Sequence, residues 1–356
     1  MLNKIFTGLL LLSIQSNALA WQAELIVDGL DIPWGITMVN DSTMLITQKQ
    51  GEVGVVEIPA KRYQTISRIK GVTSGGQGGL LDIARSPFQS GEFYFTYSKT
   101  TDSGVDTTLA KAKILNNQLS DWQDLLVTRS NSRTGRHFGS RITFDEQHVY
   151  FGIGDRGERE NGQNTLTHSG SILRVNPDGS TPTDNPFVNN AKFQPQIWSY
   201  GHRNPQGLFF DQASQILWEI EHGPRGGDEI NLIKKGANYG WPVTSHGKEY
   251  WGPLDVGEAK EKPGIESPRK VYIPSIAPGS LVMYRHTKYP ELNGKLLTGA
   301  LKLAHINVLT LDDDQNIITE QRILENLGER IRDIEVASDG NIYFSTDSGK
   351  IMRLVR

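Results

Sequence analysis

The feature that most constrains this chain is a strand pattern that returns six times. An apolar pair or triplet is followed by a short polar turn and then an outgoing strand. It occurs at Trp34-Gly35-Ile36 with Met44–Thr47, Leu80–Ala84 with Phe93–Tyr97, and Arg141–Phe144 with Val149–Ile153. It returns at Gly207–Phe210 with Leu217–Ile220, Leu281–Tyr284 with Lys295–Gly299, and Ile334–Val336 with Ile342–Ser345. Spacings of roughly 45–75 residues suit units of four short strands with variable loops. A β-sandwich has fewer strands over this length. The expected fold is therefore all-β, a six-bladed β-propeller, whose ring closure hides most strand edges. Amphipathic helix patterns are nearly absent, and the nearest, Ser120–Thr128, is short. No Pro- or Ser-rich linker divides residues 21–356, which read as one domain. Long insertions fall at Asn131–Gly139, Gly157–Thr167, Pro177–Gln194 and His246–Pro274.

The first 20 residues carry a different message. Lys4, the apolar run Ile5–Ile14 and Ala18-Leu19-Ala20 before Trp21 form a secretory signal peptide, residues 1–20. The run is too short to span a membrane, and no later stretch is apolar enough to do so. The mature chain is expected to be exported and periplasmic. The 356 residues include no Cys, which excludes disulfides, Cys-ligated zinc and thiol nucleophiles. A net charge of −3 argues against binding the phosphate backbone of nucleic acid.

Four polar clusters interrupt the strands. Gly75–Asp82 is a glycine-rich turn carrying Gln77, with room for a ligand near the backbone. It resembles a dinucleotide fingerprint only superficially, because no βαβ unit surrounds it. In the second cluster, His137 precedes one strand and Asp155 follows the next. The ends of an antiparallel hairpin lie side by side, so the two can pair. A carboxylate on one imidazole nitrogen leaves the other basic, as a general base requires, although a purely structural pair reads the same way. The third cluster, Ser199–Gly207, sets Arg203 and Asn204 in an apolar-flanked loop. The fourth, Glu221–Asn231 followed by Asn238–Pro242, offers Asp228, Glu229 and freed carbonyls, hard oxygen ligands suited to Ca²⁺. Late in the chain, Arg330 and Arg332 share one side of an extended segment. Together with Lys302 and Arg203 they fall at blade junctions, where they can converge on one mouth of the channel around a small polyanion.

Taken in order, GQGGLLD, RHFGSR, YGHRNPQGL, EHGPRGGDEIN, NYGWP, GALK and RIRD resemble the soluble quinoprotein sugar dehydrogenases, especially the aldose sugar dehydrogenases. The resemblance spans nearly the whole mature chain. It implies a six-bladed propeller holding pyrroloquinoline quinone (PQQ) and Ca²⁺. It implies His137 as the base for the anomeric hydroxyl, Asp155 as its orienting group, and Arg203 as the cation near the quinone oxygens. Gln77, Asn204, Lys302, Arg330, Arg332 and Tyr250 look like PQQ contacts. The carbonyls of Gly223 and Pro224 look like ligands of the catalytic Ca²⁺, and Glu229 with the Tyr239 carbonyl like a second Ca²⁺ site. The implied reaction oxidises an aldose sugar to its lactone, with an external electron acceptor, in a monomer or homodimer. Ser140 stands where the family pattern commonly has Gly. Two other readings stay open on residues alone, a calcium-dependent propeller lactonase and a non-catalytic binding propeller.

Overall fold

The computed structural model describes residues 20–356, so the signal-peptide reading, residues 1–20, falls on residues outside the described ones except for Ala20. Strand β1 (Gln22–Val27) comes first among the described residues, and four consecutive strands follow in each of five sheets. The first sheet is β2 (Pro33–Asn40), β3 (Thr43–Gln48), β4 (Glu52–Glu57) and β5 (Arg62–Arg68). The second is β6 (Leu80–Arg85), β7 (Glu92–Thr100), β8 (Val105–Leu115) and β9 (Gln118–Val127). The third is β10 (Ile142–Phe144), β11 (Val149–Ile153), β12 (Ser171–Val175) and β13 (Ile197–Tyr200). The fourth is β14 (Pro205–Asp211), β15 (Ile216–Glu221), β16 (Asp228–Ile233) and β17 (Lys270–Tyr272). The fifth is β18 (Pro278–Tyr284), β19 (Lys295–Ala300), β20 (Ile306–Leu311) and β21 (Ile317–Ile323).

The sixth sheet closes the ring. It holds β22 (Ile331–Val336), β23 (Ile342–Thr346), β24 (Lys350–Val355) and, as outer strand, β1 from the other end of the chain. Gln22 pairs with Val355 and Glu24 with Arg353, and that last pair adds a 2.5 Å ion pair. The strand pattern legible in the sequence corresponds to the first two strands of every blade. The first strands, β2, β6, β10, β14, β18 and β22, pack successively around the axis, and β22 returns to β2. The structure is a six-bladed β-propeller. Ser120–Thr128, the nearest thing to a helix in the sequence, lies almost wholly in strand β9, paired to β8. Its Trp122 packs on Phe95 at 5.0 Å and Tyr97 at 5.7 Å, and a stretch so short makes no stable helix unaided.

The apolar core is divided among the blade interfaces. Phe344, Ile334 and Leu354 pack against Val282, Leu297 and Val308, joining blades six and five. Ile36, Met44 and Ile46 meet Tyr343 and Ile351 between blades one and six. Similar clusters fill each remaining interface. This arrangement leaves the axis itself to polar residues, apart from one small cluster of Trp34, Leu81 and Phe138. Loops at the start of the inner strands therefore gather around one mouth.

Candidate active site

At that mouth the third blade brings two distant side chains together. His137 Nδ1 lies 2.5 Å from Asp155 Oδ1, as the hairpin geometry predicts. The Gly157 amide also donates to Oδ1 at 2.7 Å, and the Trp241 indole donates to Oδ2 at 2.7 Å. Burial opposes ionisation of Asp155, but the His137 hydrogen bond and the charges of His137 and Arg203 hold its carboxyl below the usual range. An ionised Asp155 accepts a hydrogen bond from Nδ1–H, so the proton stays on Nδ1 and Nε2 is the ring atom left to accept another. The His137 backbone is left-handed, with φ of 51°, and its amide donates to Gln77 Oε1 at 2.7 Å. Arg156 braces the turn from below. Its guanidinium lies 3.6 Å over the Phe138 ring and donates to the Thr134 carbonyl at 2.9 Å and to the Arg136 carbonyl.

Beside this pair opens a cavity of about 280 Å³. Gln77, Asn204, Arg330 and Arg332 line it, with Trp34 and His222. Arg330 Nε and Arg332 Nε each donate to Asp347 at 2.9 Å, so one carboxylate aims two guanidinium groups. His222 sits in the wall with Nε2 2.7 Å from the Pro278 carbonyl. Burial, with Arg203, Arg332 and His137 nearby, drives its imidazole down to about 3, so it stays neutral. Cations around a cavity of this size fit a small polyanion.

Arg203 stands behind this wall. It donates to the His222 carbonyl at 2.9 Å, lies 5.2 Å over the Trp241 ring, and keeps a buried Nε without a partner. It lines a small pocket with Gly223, Pro224, Glu221, Glu229 and Tyr239. A Cβ on Gly223 would collide with the Gly227 carbonyl, so only glycine fits that turn. The Pro224 carbonyl accepts from Ser275 at 3.2 Å and retains a second lone pair. Glu221 and Glu229 are direct partners across β15 and β16, and Glu219 faces Asn231 two residues along. Burial raises Glu219 and Glu229 well above the usual carboxylate range, and repulsion from Glu221 adds to it. Glu219 Oε1, Asn231 Oδ1 and His202 Nδ1 are buried without partners. His202, Glu219 and Glu221 converge closely enough to hold one ion. Crowded, unpartnered oxygen donors fit a hard cation such as Ca²⁺.

Not every expected residue joins the cavity. Tyr250 is 68% exposed and Lys302 is exposed at the edge, where its backbone amide is tied to Ile276; neither side chain lines the wall. Sequence reasoning missed Trp34, Asp347, Trp241 as an Asp155 donor, and the Glu219–Glu221 part of the acidic cluster. Trp241 and Glu221 carried local signals, the NYGWP and EHGPRGGDEIN motifs. The Ser140 hydroxyl does not face the cavity but donates to the Phe138 carbonyl at 3.1 Å.

A propeller with a His–Asp pair, a cationic cavity and a cation-ready carboxylate pocket at one mouth has the layout of a cofactor-dependent oxidoreductase. The family model for glucose/sorbosone dehydrogenase matches residues 30–353, and the chain belongs to that family. It is 35% identical over 342 residues to the aldose sugar dehydrogenase YliI of Escherichia coli, covering 93% of this chain and 92% of that one. The crystal structure of the soluble aldose sugar dehydrogenase from Escherichia coli in its apo form superposes with a TM-score of 0.90 at 33% identity, over 94% of this chain and 99% of that one. A PQQ-bound aldose sugar dehydrogenase of Streptomyces coelicolor shares the fold, with a TM-score of 0.79 at 24% identity over 94% and 97% of the two chains.

Proposed function

We propose that this protein oxidises aldose sugars at C1 to aldonolactones, using PQQ and Ca²⁺ and an external electron acceptor, after export to the periplasm. The observation that carries the reading is the His137–Asp155 pair set beside a cavity walled by Arg330 and Arg332. Membership of a family of sugar dehydrogenases and the names of its relatives support it. The Gly223 and Pro224 carbonyls would hold Ca²⁺ and the cationic cavity PQQ; when bound, the metal would supply Lewis-acid polarisation and the quinone a hydride acceptor. His137 Nε2 takes the proton of the anomeric hydroxyl, which raises the hydride-donating power of C1. Asp155 holds the ring in the tautomer that can do so and steadies the charge it gains. Arg203 stabilises negative charge as it builds on the acceptor side. Arg330 and Arg332 hold carboxylates, and Gln77 fixes the His137 backbone.

The test uses the chain from Trp21 onward with Ca²⁺, PQQ and D-glucose, followed by dye reduction, with each component omitted in turn. Turnover that needs both cofactors is the expected result. His137→Ala should abolish it while PQQ still binds. Lactone hydrolysis without PQQ would move the protein to the lactonase reading, and absence of PQQ binding to the binding-propeller reading.

A further inference from the structure

One buried guanidinium touches all six blades. Arg141 precedes β10 of the third blade and is 6% exposed. Its Nη1 reaches Asp82 of blade two at 2.6 Å and Asp333 of blade six at 2.9 Å. Nε donates to the Gln206 carbonyl of blade four at 3.2 Å, and Nη2 to the Gly279 carbonyl of blade five at 3.1 Å. The Trp34 ring of blade one lies 4.5 Å from the guanidinium carbon. The two carboxylates carry the connection further. Asp82 accepts the Ile142 amide at 2.7 Å, and Asp333 accepts the Ile36 amide at 2.9 Å.

This hub stands between two cavities. Residues early in the inner strands, Trp34 and Gln206 among them, line the 280 Å³ cavity at the active mouth. Residues at the hub and beyond it, including Asp82, Arg141, Asp333 and Glu335, line a second cavity of about 440 Å³. Three hub contacts are themselves parts of the active wall or back it. The Trp34 ring has Arg141 on it at 4.5 Å and Arg332 at 5.9 Å. Gln206 gives its carbonyl to Arg141 and its side-chain amide to Asn204 Oδ1 at 3.2 Å. Gly279 packs so closely on the backbone of Ile331 and Arg332 that a Cβ there would strike both carbonyls.

We propose that Arg141 is a positioning residue of the cofactor cavity, fixing Trp34, Gln206 and Arg332 by joining the six inner strands at one point. The proposal rests on the PQQ reading above. A propeller needs no such hub merely to hold its blades, since the interfaces between neighbouring blades are already filled by apolar clusters. A wall fixed in advance binds a rigid planar ligand without first ordering its own side chains, and so binds it more tightly.

Two variants test this. Arg141→Lys keeps the charge but loses the planar fork that serves several acceptors at once. Asp333→Asn removes the negative charge from the tie to blade six while leaving Arg141 balanced by Asp82, so it retains the fold even if the lysine variant does not. PQQ affinity is measured by absorbance titration in Ca²⁺, well below each melting temperature, with circular dichroism as the check on folding. Both folded variants should bind PQQ at least about tenfold more weakly, the scale of lost preorganisation, with the KM for sugar unchanged at saturating PQQ. Folded variants with lowered melting temperature and wild-type PQQ affinity would overturn the proposal and leave Arg141 a fold residue. Wild-type protein that binds no PQQ would remove the functional reading, and the proposal with it.

Discussion

The Trp241 indole donates to Asp155 Oδ2 at 2.7 Å, on the opposite oxygen from His137. The carboxylate is thereby clamped from two sides and cannot rotate away from the imidazole. Trp241→Phe keeps the ring and removes the donor. A hydrogen bond to a charged group is worth about 1.5–3 kcal/mol, which corresponds to roughly a tenfold to hundredfold fall in kcat. The KM for sugar should change little. Steady-state kinetics with saturating PQQ and Ca²⁺ checks this, and an unchanged kcat would mean that Gly157 and burial alone orient Asp155.

The acidic pocket predicts metal-dependent stability. Glu219, Glu221 and Glu229 crowd one another in a buried site, so a cation that binds the folded state alone should raise the melting temperature. Glu229→Gln removes one of the crowded carboxyl groups, whose ionisation burial already opposes. The variant should melt higher than wild type in a chelator and gain less on adding millimolar Ca²⁺. Differential scanning fluorimetry with and without Ca²⁺ reads both differences.

Ser140 is held at φ of 99°, a left-handed conformation that a side chain resists. Its hydroxyl gains only the Phe138 carbonyl in return. Ser140→Gly relieves the strain and should stabilise the protein by about 1 kcal/mol, with activity retained. Urea unfolding gives the sign. A glycine, lacking Cβ, adopts such a backbone conformation without that cost.

Acid sensitivity should come in part from His168. Its Nδ1 accepts the Arg129 amide at 2.9 Å and Nε2 lies 3.1 Å from Gln196 Oε1, so the buried ring is neutral. Burial lowers it from 6.5 to about 4. The unfolded chain then binds the extra proton first as pH falls. The stabilisation is complete above about pH 6.5 and is lost progressively toward pH 4. Urea midpoints of wild type should fall across that window, and His168→Gln should flatten the slope.

Much of the architecture is legible in the sequence. Each apolar pair or triplet and outgoing strand became the inner two strands of one blade, because a half-buried strand needs a period of two and that pattern is local. The pairing of His137 with Asp155 followed from hairpin ends. The shared side of Arg330 and Arg332 followed from alternation, and one carboxylate, Asp347, now holds both. Ser120–Thr128 was less clear, since its mixed exposure reflects an outer strand seen partly by solvent.

By itself, the sequence determined the sixfold strand repeat, the presence of a histidine, its carboxylate partner and a set of cations, and the oxygen-rich loop after β15. Only the tertiary structure decided which of these meet. Trp241 reaches Asp155 from 86 residues away, Arg141 gathers groups from six blades, and Glu219 joins the acidic pocket through strand register. Tyr250 and Lys302, in contrast, were left outside the cavity wall. Local periodicity specifies which way a side chain faces within its own strand. Contacts across the axis depend on where the ring closes, and closure is set by the packing of all six blade interfaces together.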